Sequence, residues 1–138
     1  MKKILVAVDG SAASLRAAQA ALELADRYGA TMTLAHVVAT NTFTAPEVPF
    51  GVTPWTDEAM QAGEAVLDQA VAALGRPACA RVNLAGPAAE TLADHAEREH
   101  FDLVVVGSKG RGAVSRLLVG SVTDRLVHIC PTALLIVR

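Results

Sequence analysis

Short, almost wholly apolar runs recur along the chain at wide intervals: Ile4-Leu5-Val6-Ala7-Val8, Met32 to Val38, Leu103-Val104-Val105-Val106, and Ala133 to Val137. They do not alternate apolar with polar residues. That is the pattern of strands buried on both faces, as in a parallel sheet covered by helices. Ala78 to Leu84 behaves differently, with Arg81 and Asn83 interleaved with Val82 and Leu84. Such alternation suits a less buried edge strand. Stretches with helical periodicity separate these runs, so strand and helix patterns alternate from end to end. The fold this predicts is α/β: a doubly wound, Rossmann-like open sheet of about five parallel strands with helices on both faces, in the order 3-2-1-4-5.

The first strand is expected over Lys3 to Asp9. Ser11 is an N-cap candidate for a helix reaching about Tyr28, with Leu15, Ala18, Leu22 and Ala25 toward the sheet and Gly29 just past its end. A second helix is predicted over Asp57 to Leu74, with Met60, Gly63, Leu67, Ala70, Val71 and Leu74 on one face. Gly86-Pro87 opens a third, Ala88 to about Glu99, with Leu92 and Ala96 inward. Its charged run, which includes His95 and several acids, reads as a solvated face rather than a metal set. A fourth runs from Ser121 to about Ile129 and is stopped by Pro131. Ser121 and Asp124 resemble a capping box. Ala39 to Thr56 is irregular, with three prolines and with Phe43, Phe50 and Trp55. It reads as a surface loop, a flap beside a ligand, or a partner-binding segment.

Composition narrows the function classes. A chain of 138 residues fits one domain, 1–138, with a real core. A net charge of -2 argues against sequence-independent nucleic-acid binding, which needs a basic surface. No apolar run approaches a membrane span. Lys2-Lys3 precede only a short apolar stretch before Asp9, too short for a secretory signal core. Cys79 and Cys130 lie far apart and suit two reduced, small buried side chains. The expected location is therefore the cytoplasm, with no membrane and no nucleic-acid partner.

The chemistry concentrates in Gly107-Ser-Lys-Gly-Arg-Gly-Ala-Val-Ser-Arg-Leu-Leu-Val-Gly-Ser-Val-Thr123, directly after an apolar strand. Glycines at 107, 110, 112 and 120 allow sharp turns and close approach of a ligand to main-chain N–H groups. A helix start adds unpaired donors and a positive dipole end, so strand, glycine loop and helix start together suggest a phosphate cradle. Lys109 and Arg111 lie inside it and could neutralise phosphate; Arg116 and Arg125 are weaker candidates of that kind. The spacing is neither that of a P-loop nor that of the dinucleotide fingerprint. Asp9 sits at the carboxyl end of the first strand. In the expected strand order the crevice between the first and fourth strands is the switch point, which brings Asp9 and Gly107 together. His36, inside an apolar run and without an evident Ser or Cys partner, is assigned no chemistry.

Gly107-x2-Gly110, followed after nine residues by Gly120-Ser121, resembles the nucleotide-binding signature of the universal stress protein family, ATP-binding type. The opening Ile4 to Ser11, the His36-Val37 pair and the final Thr132 to Val137 are similar to that family too. The resemblance implies that Ala7, Asp9 and Val37 frame adenine and ribose, and that Gly107 lies against the ribose. It implies that the loop residues Ser108, Lys109, Gly110, Arg111 and Gly112, with Gly120, Ser121, Val122 and Thr123, hold the phosphates through backbone donors and the Ser121 and Thr123 hydroxyls. A magnesium or manganese ion would be bound through the ATP phosphates, with no residues assigned to it. The family also implies a homodimer through Ala133 to Val137. The function so implied is a nucleotide-dependent regulatory module in stress response, acting on an unknown protein partner. The alternatives are a slow ATP hydrolase or self-phosphorylating protein, and a dimeric scaffold without nucleotide. No residue is assigned a catalytic role.

Overall fold

A computed structural model of the chain describes residues 1–39, 56–110 and 119–138. Five strands, β1 (Lys3–Ala7), β2 (Thr31–Ala39), β3 (Ala80–Gly86), β4 (Leu103–Gly107) and β5 (Ala133–Val137), alternate with four helices. The helices are α1 (Ala12–Tyr28), α2 (Asp57–Leu74), α3 (Ala88–Arg98) and α4 (Ser121–Ile129). All strand pairs are parallel, in the order β3-β2-β1-β4-β5. Helices cover both faces, as the alternating pattern requires.

The central strands show why the apolar runs are continuous. Ile4 and Val6 of β1 pack with α1 and α2, while Leu5 packs with α3 and α4. Successive strand side chains point to opposite faces, so a strand covered on both sides must be apolar at every position. β3, at one edge, is mostly half-exposed and tolerates Arg81 and Asn83. It begins at Ala80 rather than Ala78 and extends to Gly86.

Local signals set several helix ends. The Ser11 side chain accepts from the Ser14 N–H, and Gly29 closes α1 in the left-handed conformation, φ 65°. Thr56 caps α2 in the same way, and Gly75 ends it. The buried face of α1 includes the expected Ala18 and Ala25, with Leu22 packed at its margin, and is made mainly of small residues. Ala13, Ser14, Ala17, Ala18, Ala21 and Ala25 are buried, whereas Leu15 and Leu22 are only half-buried. The reason is proximity. A Cβ on Gly107 would lie 2.8 Å from the Ala13 carbonyl carbon, so α1 rests almost directly on β4. Only small side chains fit between backbones that close.

α4 corrects another expectation. Its N-cap is Gly120, Ser121 is already the first helical residue, and no side chain caps it. The Gly120 N–H donates to the Ser108 carbonyl at 2.6 Å, and its carbonyl accepts from Asp124 at 2.9 Å. The backbone of the β4 exit thus takes the place of the Ser121–Asp124 capping box.

Candidate functional site

β1 and β4 are neighbours at the centre of the sheet, and the chain leaves them toward opposite faces, β1 into α1 and β4 toward α4. Diverging exits leave a crevice beyond the carboxyl ends of the strands. A cavity of about 380 Å³ occupies it. That is within the size range of small-molecule sites.

The cavity has two chemically different ends. Ala35, Val37 and Ala39 of β2, Val106 of β4, and Ala88 and Leu92 of α3 form an apolar slot. Lys109, Gly110 and Gly120–Thr123 form the other end. Backbone hydrogen bonds shape that second end. The Ser108 N–H donates to the Val137 carbonyl at 2.8 Å, which anchors the β4 exit to β5, and the Ser108 carbonyl then receives Gly120. The buried Thr123 hydroxyl donates to the Gly107 carbonyl at 2.8 Å. Its hydrogen is therefore committed, and Thr123 can offer an anion only its main-chain N–H.

Two of these glycines are tightly packed, because backbone passes against backbone or carboxylate. A Cβ on Gly120 would lie 3.2 Å from the Gly110 nitrogen and 3.4 Å from the Lys109 Cα. A Cβ on Gly110 would lie 2.9 Å from Asp9 Oδ2. The start of α4, lacking the side-chain cap that α1 and α2 possess, turns its first-turn residues Ser121, Val122 and Thr123 to the cavity. α3 also lacks a side-chain cap, and its first residue, Ala88, lines the same space. Uncapped helix starts carry partial positive charge and N–H donors, which favour anions.

Asp9 holds the third corner. Its Oδ1 accepts from the Ser11 N–H at 2.9 Å, and its own N–H donates to Ser14 Oγ at 3.3 Å. It fixes the turn into α1 and also lines the cavity. A carboxylate here repels phosphate but accepts readily from hydroxyl or amine groups.

The structure brings ten residues singled out in the sequence into this one cavity: Ala7, Asp9, Val37, Gly107, Lys109, Gly110, Gly120, Ser121, Val122 and Thr123. Ser108 lies beneath it, buried and bonded through its backbone. Arg111 and Gly112 lie outside the described residues, as do Arg116 and the aromatics of the segment 40–55. Arg125 pairs with Glu90 on the surface at 2.9 Å. That hydrogen bond holds the Glu90 carboxyl below its usual range. Sequence reasoning missed Ala88, Leu92 and His36 as lining residues. Gly86-Pro87 was a usable signal for the first two, since it marks another strand-to-helix turn at the same edge of the sheet. Among the described residues no three His, Cys, Asp or Glu side chains converge as metal ligands. None of the described helices is long and apolar enough to cross a membrane.

Comparison with known proteins adds to this geometry. A model described as the universal stress protein family matches residues 1–138. The "universal stress protein in QAH/OAS sulfhydrylase 3′region" of Thermus aquaticus is 33% identical over 141 residues, covering 99% of this chain and 98% of its own. The solved universal stress protein UspA from Lactobacillus plantarum superposes with a TM-score of 0.79 at 28% identity, covering 99% of this chain and 97% of that one. A universal stress protein solved in complex with cAMP has the same fold, with a TM-score of 0.74 at 21% identity over 99% of this chain and 97% of that one.

Proposed function

The chain belongs to the universal stress protein family, and from that premise we propose that it is a cytoplasmic, nucleotide-dependent regulatory module whose ligand is ATP. The carrying observation is that an apolar slot and an uncapped, glycine-lined helix start share one cavity at the switch point. Adenine fits the slot beside Val37. The ribose lies between Asp9 and Gly107, and the phosphates meet the N–H groups of Gly110 and of Ser121 to Thr123. A solved relative of this fold in complex with cAMP supports an adenine nucleotide as the class of ligand. The residues present fit a triphosphate: two close-packed glycines, Lys109, and no carboxylate besides Asp9 lining the cavity among the described residues. A magnesium or manganese ion bound through the phosphates would screen their charge.

Regulation is the better reading than turnover. Fast phosphoryl transfer requires a group that positions the attacking nucleophile, and Asp9 is committed to the turn into α1 and lies at the nucleoside end. The half-exposed apolar edge of β5, with Leu134, Leu135, Ile136 and Val137, is the surface proposed for a homodimer.

The test is calorimetric titration of ATP with magnesium into protein stripped of nucleotide. One saturable site is expected, lost in Gly120→Val. The added side chain presses on the backbone of Gly110 and Lys109 and so displaces the cradle itself; circular dichroism checks that the fold survives. Absence of heat, with no competition by other adenosine nucleotides, refutes the proposal in favour of a scaffold. Turnover on the order of 1 per second would instead make the protein an enzyme.

A further inference from the structure

The β1 exit must break from the sheet and deliver Asp9 to the cavity within a few residues. The regular β1–β2 pairing ends at Ala7 opposite Ala35. One further rung follows, the Val8 N–H donating to the Ala35 carbonyl at 2.8 Å. The next peptide, Val8–Asp9, is held by side chains instead. The Val8 carbonyl lies 2.8 Å from His36 Nδ1, and the Asp9 N–H reaches Ser14 Oγ at 3.3 Å. A carbonyl only accepts, so His36 carries a proton on Nδ1. α2 passes close behind the ring, since a Cβ on Gly63 would lie 2.8 Å from its Cδ2. α2 thus backs His36, His36 holds the Val8 carbonyl, and that peptide sets where the Asp9 carboxylate points. Asp9 Oδ1 is turned to Ser11 and Oδ2 toward Gly110.

We propose that His36 is a positioning residue for nucleotide binding: through the Val8 carbonyl it fixes the Val8–Asp9 peptide and so presents Asp9 to the nucleoside end of the cavity. This rests on the function proposed above and assigns His36, itself at the cavity wall, a role exerted through Asp9. Loss of the Nδ1 donor leaves the Val8 carbonyl in a half-buried place without its partner. The peptide can then rotate, and the carboxylate loses its fixed position.

The experiment is titration of ATP with magnesium into wild type, His36→Leu, His36→Asn, Asp9→Ala and the double variant His36→Leu/Asp9→Ala. His36→Leu is expected to weaken binding up to about tenfold, the scale of one hydrogen bond. His36→Asn, whose amide nitrogen replaces Nδ1 as donor to Val8, is expected to restore most of it. In the Asp9→Ala background His36→Leu should have little further effect, since the group it positions is gone. Should His36→Leu not fold, Ser14→Ala removes the other hold on the same peptide and is expected to give a comparable loss. Equal loss in the Leu and Asn variants, or an undiminished His36→Leu effect without Asp9, overturns the positioning role alone. A wild-type protein that binds no adenine nucleotide overturns the proposed function itself, and this role with it.

Discussion

Gly63→Ala sets two physical effects of opposite sign against each other. Gly63 lies inside α2, where alanine is favoured over glycine by about 1 kcal/mol on helix propensity. Propensity alone therefore predicts stabilisation. Packing predicts the reverse. The new methyl would lie 2.5 Å from Asn83 Oδ1, 2.9 Å from Asn83 Nδ2 and 2.8 Å from His36 Cδ2. Comfortable contacts between such atoms begin at about 3.5 Å, so side chains or helix must shift. Overpacking of this kind costs about 1–3 kcal/mol. Moving Asn83 also strains its 2.8 Å hydrogen bond to the Met60 carbonyl, worth about 1 kcal/mol. That last loss offsets the propensity gain, leaving a net destabilisation of about 1–3 kcal/mol. Urea unfolding followed by far-ultraviolet circular dichroism reads it as a midpoint lowered by about 1 M at an unchanged slope. Asn83→Ala in the same chain makes room for the methyl and removes Asn83 Oδ1, a buried acceptor with no partner among the described residues. The Gly63→Ala penalty should therefore shrink in that background. A Gly63→Ala protein as stable as wild type, or an equal penalty in both backgrounds, refutes the reasoning.

Gly107→Ala places a methyl 2.8 Å from the Ala13 carbonyl carbon and 2.9 Å from its oxygen, where rigid backbone must yield; a stability loss of about 1–3 kcal/mol by urea unfolding is expected, with weaker binding of the proposed nucleotide because the cavity floor moves. The Asp102 carboxylate accepts from the Lys2 and Lys3 N–H groups at 2.8 and 2.9 Å, which hold its pKa below the usual carboxylate value. The folded state then binds that proton less readily than the unfolded chain, so the contribution is complete above the unfolded carboxyl pKa and is lost as pH falls through the folded one. Stability measured across pH should show Asp102→Asn weaker than wild type at neutral pH and converging with it in acid. Ile136→Lys should shift the proposed homodimer toward monomer in sedimentation velocity; because Ile136 also packs against the core of its own chain, circular dichroism must show the variant folded, and a folded variant that stays dimeric refutes the proposed interface.

Much of the fold could be read from the chain because its determinants are local or periodic. Unbroken apolar runs mark strands covered on both faces, and β1 and β4 appear where those runs lie. Ser11 and Gly29 bound α1 through contacts within a few residues of each other. The Gly107–Thr123 stretch announced a close backbone approach, and its glycines at 110 and 120 sit where a Cβ would meet Asp9 or neighbouring backbone. Contacts across the sheet were another matter. Nothing near His36 in sequence marks it as the partner of the Val8 carbonyl, 28 positions away, because β2 comes beside β1 only once α1 has crossed over. Ser121 and Asp124 had the pattern of a capping box, but the Ser108 carbonyl captured Gly120, so the N-cap is Gly120 while the helix starts at Ser121 as expected. Gly63 looks in sequence like one more position on an amphipathic face. It is required because α2 approaches β2 and β3 within reach of His36 and Asn83. By itself the sequence determined the elements, their order and the glycine loop, since backbone conformation and burial pattern act over neighbouring residues. Tertiary structure alone decided which side chains face each other across the crevice, since those distances exist only after every crossover has been made.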